Sequence, residues 1–85
     1  MRPSLYRSEK VYVIYTQKSC GFCVMAKKLL EEHSKEYTEI AIDEDDDAKN
    51  YVKGFAKTVP QIFYEEQLIG GYQELSEQLY YLDKD

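Results

Sequence analysis

The chain has 85 residues and a formal net charge of −5, which is enough length for one domain with its own hydrophobic core. The acidic balance argues against a nucleic-acid surface, because phosphate binding depends on clustered lysine and arginine. No stretch has the apolar length of a transmembrane helix, and residues 1–10 lack the apolar core of a signal peptide. We therefore expect a cytoplasmic protein that binds neither membranes nor nucleic acids.

The start of the chain predicts a loose lead-in followed by a buried strand. Residues 1–9 show no periodicity and contain Pro3, so we expect the folded domain to span residues 10–85. Residues 10–16 are mostly β-branched or aromatic, which is typical of a central strand covered on both faces.

The only two cysteines follow this strand, in the tetrad Cys20-Gly21-Phe22-Cys23. A helical pattern begins near Cys23, and residues i and i+3 share a helix face, so the second sulfur is expected to point toward the first. Cys20 then lies at a helix N-terminus, where unpaired N–H groups and the macrodipole favour the reactive thiolate. This arrangement predicts a dithiol redox centre.

Two other interpretations of the cysteine pair are weaker. A zinc site needs two further ligands, and His33 is the only other soft candidate, so we expect no metal. Inert core cysteines are also disfavoured for Cys20, because Ser19 and Gly21 flank it at a loop-to-helix turn, where side chains tend to be exposed.

The middle of the chain predicts helix, strand and helix. The first helix ends near His33, a strand follows at residues 37–42, and Asp45 or a neighbour in the acidic run 43–47 caps the next helix. A calcium loop is disfavoured because its spaced ligands and turn glycine are missing. Gly54 is expected to end that helix in a left-handed conformation. The expected buried stripes of the two helices are Ala26, Leu29, Leu30 and His33, and then Ala48, Tyr51, Val52 and Phe55.

The C-terminal third predicts a β-hairpin and a last helix. Strands at residues 61–64 and 67–69 pair across a short turn, and Gly70-Gly71 breaks the second strand. The last helix has the stripe Leu75, Leu79 and Leu82 and precedes a polar tail at residues 83–85. The element order is β-α-β-α-β-β-α. Pro60, before the hairpin, is by itself most simply a trans proline at an edge strand.

Three separated stretches resemble the glutaredoxin family: Tyr15-Thr16 leading to the cysteine tetrad, Thr58-Val59-Pro60-Gln61-Ile62-Phe63, and Ile69-Gly70-Gly71. A lone Cys-x-x-Cys motif is a weak signal, but the three stretches together are specific. The resemblance implies an α/β, thioredoxin-like fold with a four-stranded mixed sheet flanked by helices. It also implies a cis Val59–Pro60 bond, and it makes residues 10–85 a glutaredoxin domain.

The resemblance further implies a monomeric, glutathione-dependent thiol–disulfide oxidoreductase. Cys20 would be the nucleophile and Cys23 the resolving cysteine, acting on protein disulfides and glutathionylated proteins. The glycine carboxylate of glutathione would meet Gln17 or Lys18, since the usual Lys or Arg three residues before the nucleophile is here Gln17. The backbone N–H groups of Gly71 and Tyr72 would hold the γ-glutamyl carboxylate. The other expected contacts are Phe22, Thr58, Val59, Pro60, Gln73 and Glu74.

Two alternative functions remain open at this stage. Gly21 replaces the proline common in the family and resembles the monothiol branch, which assembles iron–sulfur clusters; an iron–sulfur cluster held by Cys20 and glutathione is therefore the first alternative. The second is a small electron donor reduced by thioredoxin reductase. Cys23, in place of the serine of the monothiol branch, favours dithiol chemistry.

Overall fold

The computed structural model describes residues 11–82 of the chain. The elements follow the expected order β-α-β-α-β-β-α, with a short 3₁₀ helix inserted after the second strand. They are β1 Tyr12–Thr16, α1 Gly21–Glu32, β2 Tyr37–Ala41, the 3₁₀ helix Ile42–Glu44, α2 Asp46–Lys53, β3 Gln61–Tyr64, β4 Gln67–Gly70 and α3 Tyr72–Leu82. The expected lead-in at residues 1–9, Lys10 and the polar tail at residues 83–85 lie outside the described residues.

The four strands form one mixed sheet in the order β2-β1-β3-β4. β1 pairs with β2 in parallel and with β3 antiparallel, and β3 pairs antiparallel with β4. The parallel pair needs a crossover, which α1 supplies. The predicted four-stranded mixed sheet and the antiparallel hairpin are confirmed.

The main core lies between one face of the sheet and helices α1 and α3. β1 contributes Tyr12 and Ile14 to it, at alternate positions as the period of a strand requires. The fully buried members are Tyr12, Ile14, Ala26, Leu30, Ile62, Leu75 and Leu79. A smaller buried cluster, Ile42, Ala48 and Val52, packs with Tyr15 and Ile40 on the second face. Val13 and Tyr15 stay half-exposed, so the prediction that β1 is covered on both faces holds only in part.

Two of the predicted buried helix stripes include residues that the structure leaves exposed. Tyr51 and Phe55 are 52% and 41% exposed, and Leu82 is 58% exposed. Tyr51 and Phe55 instead pack edge to face with each other, with ring centroids 5.3 Å apart, and both rings approach Phe63. Helical spacing identified the correct side of the helix, but α2 has only eight residues and leaves its aromatic edge in solvent.

The ends of α1 and α2 follow local capping chemistry. Asp45 caps α2 as predicted, because its Oδ1 accepts the Ala48 N–H at 3.1 Å, and His33 ends α1 as predicted. The left-handed conformation expected for Gly54 is wrong: its φ is −69° and ψ is −19°. Its N–H continues the helical pattern by donating to the Asn50 and Tyr51 carbonyls at 3.2 Å.

Candidate active site

The two cysteines lie where the loop after β1 enters α1. They form a disulfide, with Cα atoms 5.2 Å apart. Cys20 is the N-cap of α1: its Sγ accepts the Cys23 N–H at 3.1 Å, and its carbonyl accepts the first helical bond, from the Val24 N–H, at 3.2 Å. The helix therefore begins at Gly21, two residues before the start expected near Cys23, because the first cysteine itself supplies the cap.

The two sulfur-bearing residues differ in accessibility. Cys23 is 2% exposed, whereas Cys20 is half-buried and follows Ser19, which has a positive φ of 58°. An incoming molecule therefore reaches Cys20 first. The N–H of Cys23 lies where it would stabilise negative charge on the Cys20 sulfur after reduction.

The loop before β3 lies against Cys20. The Val59–Pro60 peptide bond is cis, as the resemblance implies, and the interpretation of Pro60 as a trans proline is wrong. The Val59 carbonyl oxygen is 3.7 Å from Cys20 Sγ. Gln61 fixes the same loop, because its side-chain amide donates to the Thr58 carbonyl at 2.9 Å.

A groove of about 610 Å³ runs from this loop to the start of α3. It is lined by Phe22, Thr58, Val59, Pro60, Gly71, Tyr72, Gln73, Glu74 and Ser76. Eight of the ten residues expected to contact glutathione thus share one groove, and the rings of Phe22 and Tyr72 are 5.8 Å apart. Sequence reasoning missed Ser76, although it lies four residues after Tyr72 and so shares its helix face.

The start of α3 carries a side-chain cap that the sequence analysis did not foresee. The first helical bond runs from the Leu75 N–H to the Gly71 carbonyl at 3.0 Å, so the N–H groups of Tyr72, Gln73 and Glu74 precede the helical ladder. The N–H of Gly71 donates to Glu74 Oε1 at 2.9 Å. This contact is one half of a capping box, in which a glutamate at the third helical position reaches back to the N-cap.

Gln17 and Lys18 lie outside that groove. They line a separate cavity of about 520 Å³ that also includes both cysteines. The backbone N–H of Lys18 donates to Asp43 Oδ2 at 3.1 Å, which ties the active-site loop to the 3₁₀ helix. The structure therefore groups these two residues with the cysteines and apart from the γ-glutamyl end of the expected site.

A polar network that lines the same cavity as the two cysteines joins three elements. The hydroxyl of buried Thr16, at the end of β1, donates to Glu39 Oε2 on β2 at 2.7 Å. Lys27 on α1 contacts both oxygens of Glu39 at 3.1 Å. The Thr16 hydrogen bond is the main cause that lowers the pKa of Glu39, and Lys27 adds to it. The network fastens the active-site helix to the sheet.

We predict that this network makes stability depend on pH in the acidic range. Because the pKa of Glu39 is lowered in the folded state, its contribution is fully present above the ordinary value of 4.5 and is lost as the pH falls through the folded-state pKa. Glu39→Gln should lower the free energy of unfolding slightly at pH 7, by less than about 1 kcal/mol since solvent screens the pair. In urea unfolding between pH 7 and pH 3, the free energies of unfolding of Glu39→Gln and of the unmodified protein should converge below pH 4.5.

Glu32→Gln, on the exposed face of α1, is the matched control. A difference in free energy between Glu39→Gln and the unmodified protein that stays constant at all pH values would contradict the prediction.

Within residues 11–82, no helix is long and apolar enough to cross a membrane. In the same part of the chain, no three histidine, cysteine, aspartate or glutamate side chains are grouped so that they could hold a metal ion.

Comparison with known proteins places the chain in a family. The family model described as glutaredoxin matches residues 12–69, and a probable glutaredoxin of Synechocystis is 44% identical over 73 residues, or 82% of this chain. The chain belongs to the glutaredoxin family. It spans 63% of the length of that relative.

Solved structures agree in fold. Glutaredoxin 1 of Francisella tularensis, crystallised with cacodylate, has a TM-score of 0.74 and 28% identity, covering 88% of this chain and 98% of that one. A buckwheat glutaredoxin–glutathione complex has a TM-score of 0.71 at 23% identity, covering 95% of this chain and 81% of that one. The thioredoxin-like glutaredoxin fold expected from the resemblance is confirmed.

Proposed function

We propose that the protein is a glutathione-dependent thiol–disulfide oxidoreductase that reduces glutathione mixed disulfides and protein disulfides. The observation that carries the proposal is a Cys20–Cys23 disulfide at the N-terminus of α1, beside a groove that ends at the N-terminus of α3. Family membership supports the same reaction class.

The chemistry follows from the different positions of the two sulfurs. In the reduced protein, the Cys20 thiolate attacks the glutathione sulfur of a mixed disulfide; a Cys20–glutathione disulfide forms, and the substrate protein leaves as a thiolate that takes up a proton. A second glutathione thiolate then attacks the glutathione sulfur of that disulfide, giving glutathione disulfide and the Cys20 thiolate. With a protein disulfide, the Cys20 thiolate attacks one substrate sulfur and releases the other as a thiolate. The thiolate of buried Cys23 then attacks the Cys20 sulfur, which forms the Cys20–Cys23 disulfide and releases the second substrate thiolate. Two glutathione molecules later reduce that disulfide and leave as glutathione disulfide. The Cys23 N–H helps each step in which Cys20 leaves, because a stabilised thiolate is a better leaving group.

The groove offers groups of the kinds that glutathione requires. We assign the backbone of Val59 to the cysteinyl part of glutathione, and the N–H groups of Gly71 and Tyr72 to the γ-glutamyl carboxylate. Glu74 is the partner of the α-amine, and Phe22 forms an aromatic wall. The buckwheat relative of the same fold was crystallised with glutathione. Thr58, Pro60 and Gln73 complete the expected contacts, and Ser76 also lines the groove.

For the glycine carboxylate we favour Lys18 over Gln17. Both are exposed, but the lysine has the charge and the longer side chain, and Asp43 fixes only its backbone. Lys18→Met should raise the KM for glutathione about two- to fivefold, the effect of one exposed ion pair, and should reduce the salt dependence of KM. Gln17→Ala is the matched comparison and should leave KM nearly unchanged; the reverse order would assign the carboxylate to Gln17.

The proposed function is tested by coupling NADPH, glutathione reductase and glutathione to a glutathionylated peptide. We expect NADPH oxidation that requires glutathione, glutathione reductase, the glutathionylated peptide and the protein. Absence of turnover there, together with turnover supported by thioredoxin reductase, would identify the protein as an electron donor of that system. A brown dimer after anaerobic purification would favour the iron–sulfur alternative.

A further inference from the structure

We propose that Glu74 is a built-in competitor for the γ-glutamyl carboxylate and so sets how tightly the groove binds its ligand. The inference rests on the proposed function, since it concerns the same groove. Its starting point is that one of the two N–H groups assigned to the ligand carboxylate, that of Gly71, already donates to Glu74 Oε1 at 2.9 Å. A side-chain carboxylate of this chain thus accepts an N–H that the proposed function assigns to the ligand.

The fold fixes the position of the Glu74 side chain over the start of α3. Gly70 has a φ of +129° and no side chain, and a Cβ placed there would lie 2.9 Å from Glu74 Cγ and 3.0 Å from Glu74 Cβ. The aliphatic part of Glu74 therefore passes directly over Gly70. A Cβ at Gly71 would lie 3.6 Å from Glu74 Oε1, so the carboxylate also lies against the second glycine. The missing side chain at Gly70 gives Glu74 room to fold back onto the helix start, whereas a Cβ at Gly71 would make only ordinary van der Waals contact.

Because it is negatively charged, the Glu74 carboxylate competes with the ligand carboxylate for the Gly71 N–H. Glu74 is the single carboxylate among the described residues that line the groove, and it accepts the N–H at the positive end of the α3 dipole. A second carboxylate that approaches the same N–H meets like charge at hydrogen-bonding distance, which is unfavourable. The ligand carboxylate therefore displaces Glu74, and the displaced side chain is then free to pair with the ligand α-amine.

The two roles of Glu74 oppose each other, so removing it reveals which one dominates. Loss of the competitor tightens binding, whereas loss of the amine partner weakens it. A ligand that keeps the carboxylate and lacks the α-amine isolates the competition. The S-methyl derivative of glutaryl-cysteinyl-glycine is such a ligand, and S-methylglutathione is its amine-bearing counterpart. The blocked sulfur of each prevents thiol exchange.

The experiment measures dissociation constants by NMR titration of the oxidised protein with each ligand. Glu74→Ala should bind the ligand without the amine about three- to tenfold more tightly than the unmodified protein, the effect of one hydrogen bond of ordinary net strength. The gain should be smaller for S-methylglutathione, because the variant also loses the partner of its α-amine. Glu77→Ala, one turn further along α3 and outside the groove, changes net charge equally and should leave both constants unchanged.

Glu74→Gln and the Gly71 amide signal keep the test decisive if the alanine variant frays α3. Glutamine preserves the capping acceptor without the charge, so it should give a smaller gain of the same sign. The Gly71 amide resonance should shift in both variants before ligand is added, and ligand should shift it back. Equal or weaker binding of the ligand without the amine by both variants, with normal binding by the unmodified protein, would overturn the inference alone. Absence of binding by every variant would overturn the proposed function as well.

Discussion

Cys20→Ser is expected to abolish both reactions of the proposed oxidoreductase, with turnover reduced at least about a thousandfold. Cys20 is the sulfur that an incoming disulfide can reach, because Cys23 is 2% exposed. Serine keeps the shape and the N-capping acceptor, so α1 should still begin at Gly21. A hydroxyl, however, does not exchange with disulfides. The coupled assay with a glutathionylated peptide and with a protein disulfide measures both losses, and circular dichroism checks the fold.

Cys23→Ser is the matched variant and should separate the two reactions. The hydrogen bond from position 23 to Cys20 Sγ comes from the backbone, so serine preserves the group that stabilises the thiolate. Reduction of the glutathionylated peptide should stay within about threefold of the unmodified protein, since glutathione itself completes that cycle. Reduction of the protein disulfide by the dithiol route should be lost. Equal losses of both reactions in this variant would contradict the assigned roles.

The parts of the fold that sequence predicted well depend on local chemistry. Asp45 could be identified as a cap because an aspartate before a helical pattern has one common use. Strands at residues 61–64 and 67–69 could be predicted because two glutamates interrupt an apolar pattern, and the structure extends the second strand only to Gly70. The position of Cys20 at a helix start follows in the same way from residue spacing. In each case the residues that identify the feature lie within four positions of one another in the sequence.

The parts that sequence missed depend on which surfaces the fold brings together. Helical spacing places Tyr51 and Phe55 on one face but does not reveal that their shared partner is Phe63, on β3, at the edge of the core. The backbone N–H of Lys18 donates to Asp43, which lies 25 residues away along the chain, and sequence spacing does not reveal such a contact. The sequence predicts that Glu74 meets a ligand but not that it accepts the Gly71 N–H, although a glutamate at the third helical position is a recognisable signal for a capping box.

Gly70→Ala should be among the most destabilising single-methyl substitutions in the domain, lowering the free energy of unfolding by about 2–4 kcal/mol. Two costs add. The φ of +129° at Gly70 is a conformation that residues with a Cβ rarely adopt, which costs about 1–3 kcal/mol. The new methyl group would also lie 2.9 Å from Glu74 Cγ, so Glu74 has to leave its cap, and a lost cap costs a further ~1 kcal/mol. Urea unfolding at neutral pH measures the loss.

Gly21→Ala is the control, because it adds the same methyl group at the start of α1. A Cβ there meets nothing within 4 Å, and alanine is favoured over glycine in a helix by up to about 1 kcal/mol, so this variant should be neutral or slightly more stable. The double variant Gly70→Ala with Glu74→Ala removes the close contacts of the new methyl group with Glu74 Cγ and Cδ, whereas the 3.0 Å contact with Cβ and the backbone strain remain. The two substitutions should therefore cost less together than the sum of their separate effects. If the effects of the two substitutions are strictly additive, the new methyl group and the Glu74 side chain do not interact. If Gly70→Ala lowers the free energy of unfolding no more than Gly21→Ala does, the end of β4 relaxes without strain. The stability of the β4–α3 junction and the occupancy of the Gly71 N–H thus depend on the same few atoms, those of Gly70 and of the Glu74 side chain.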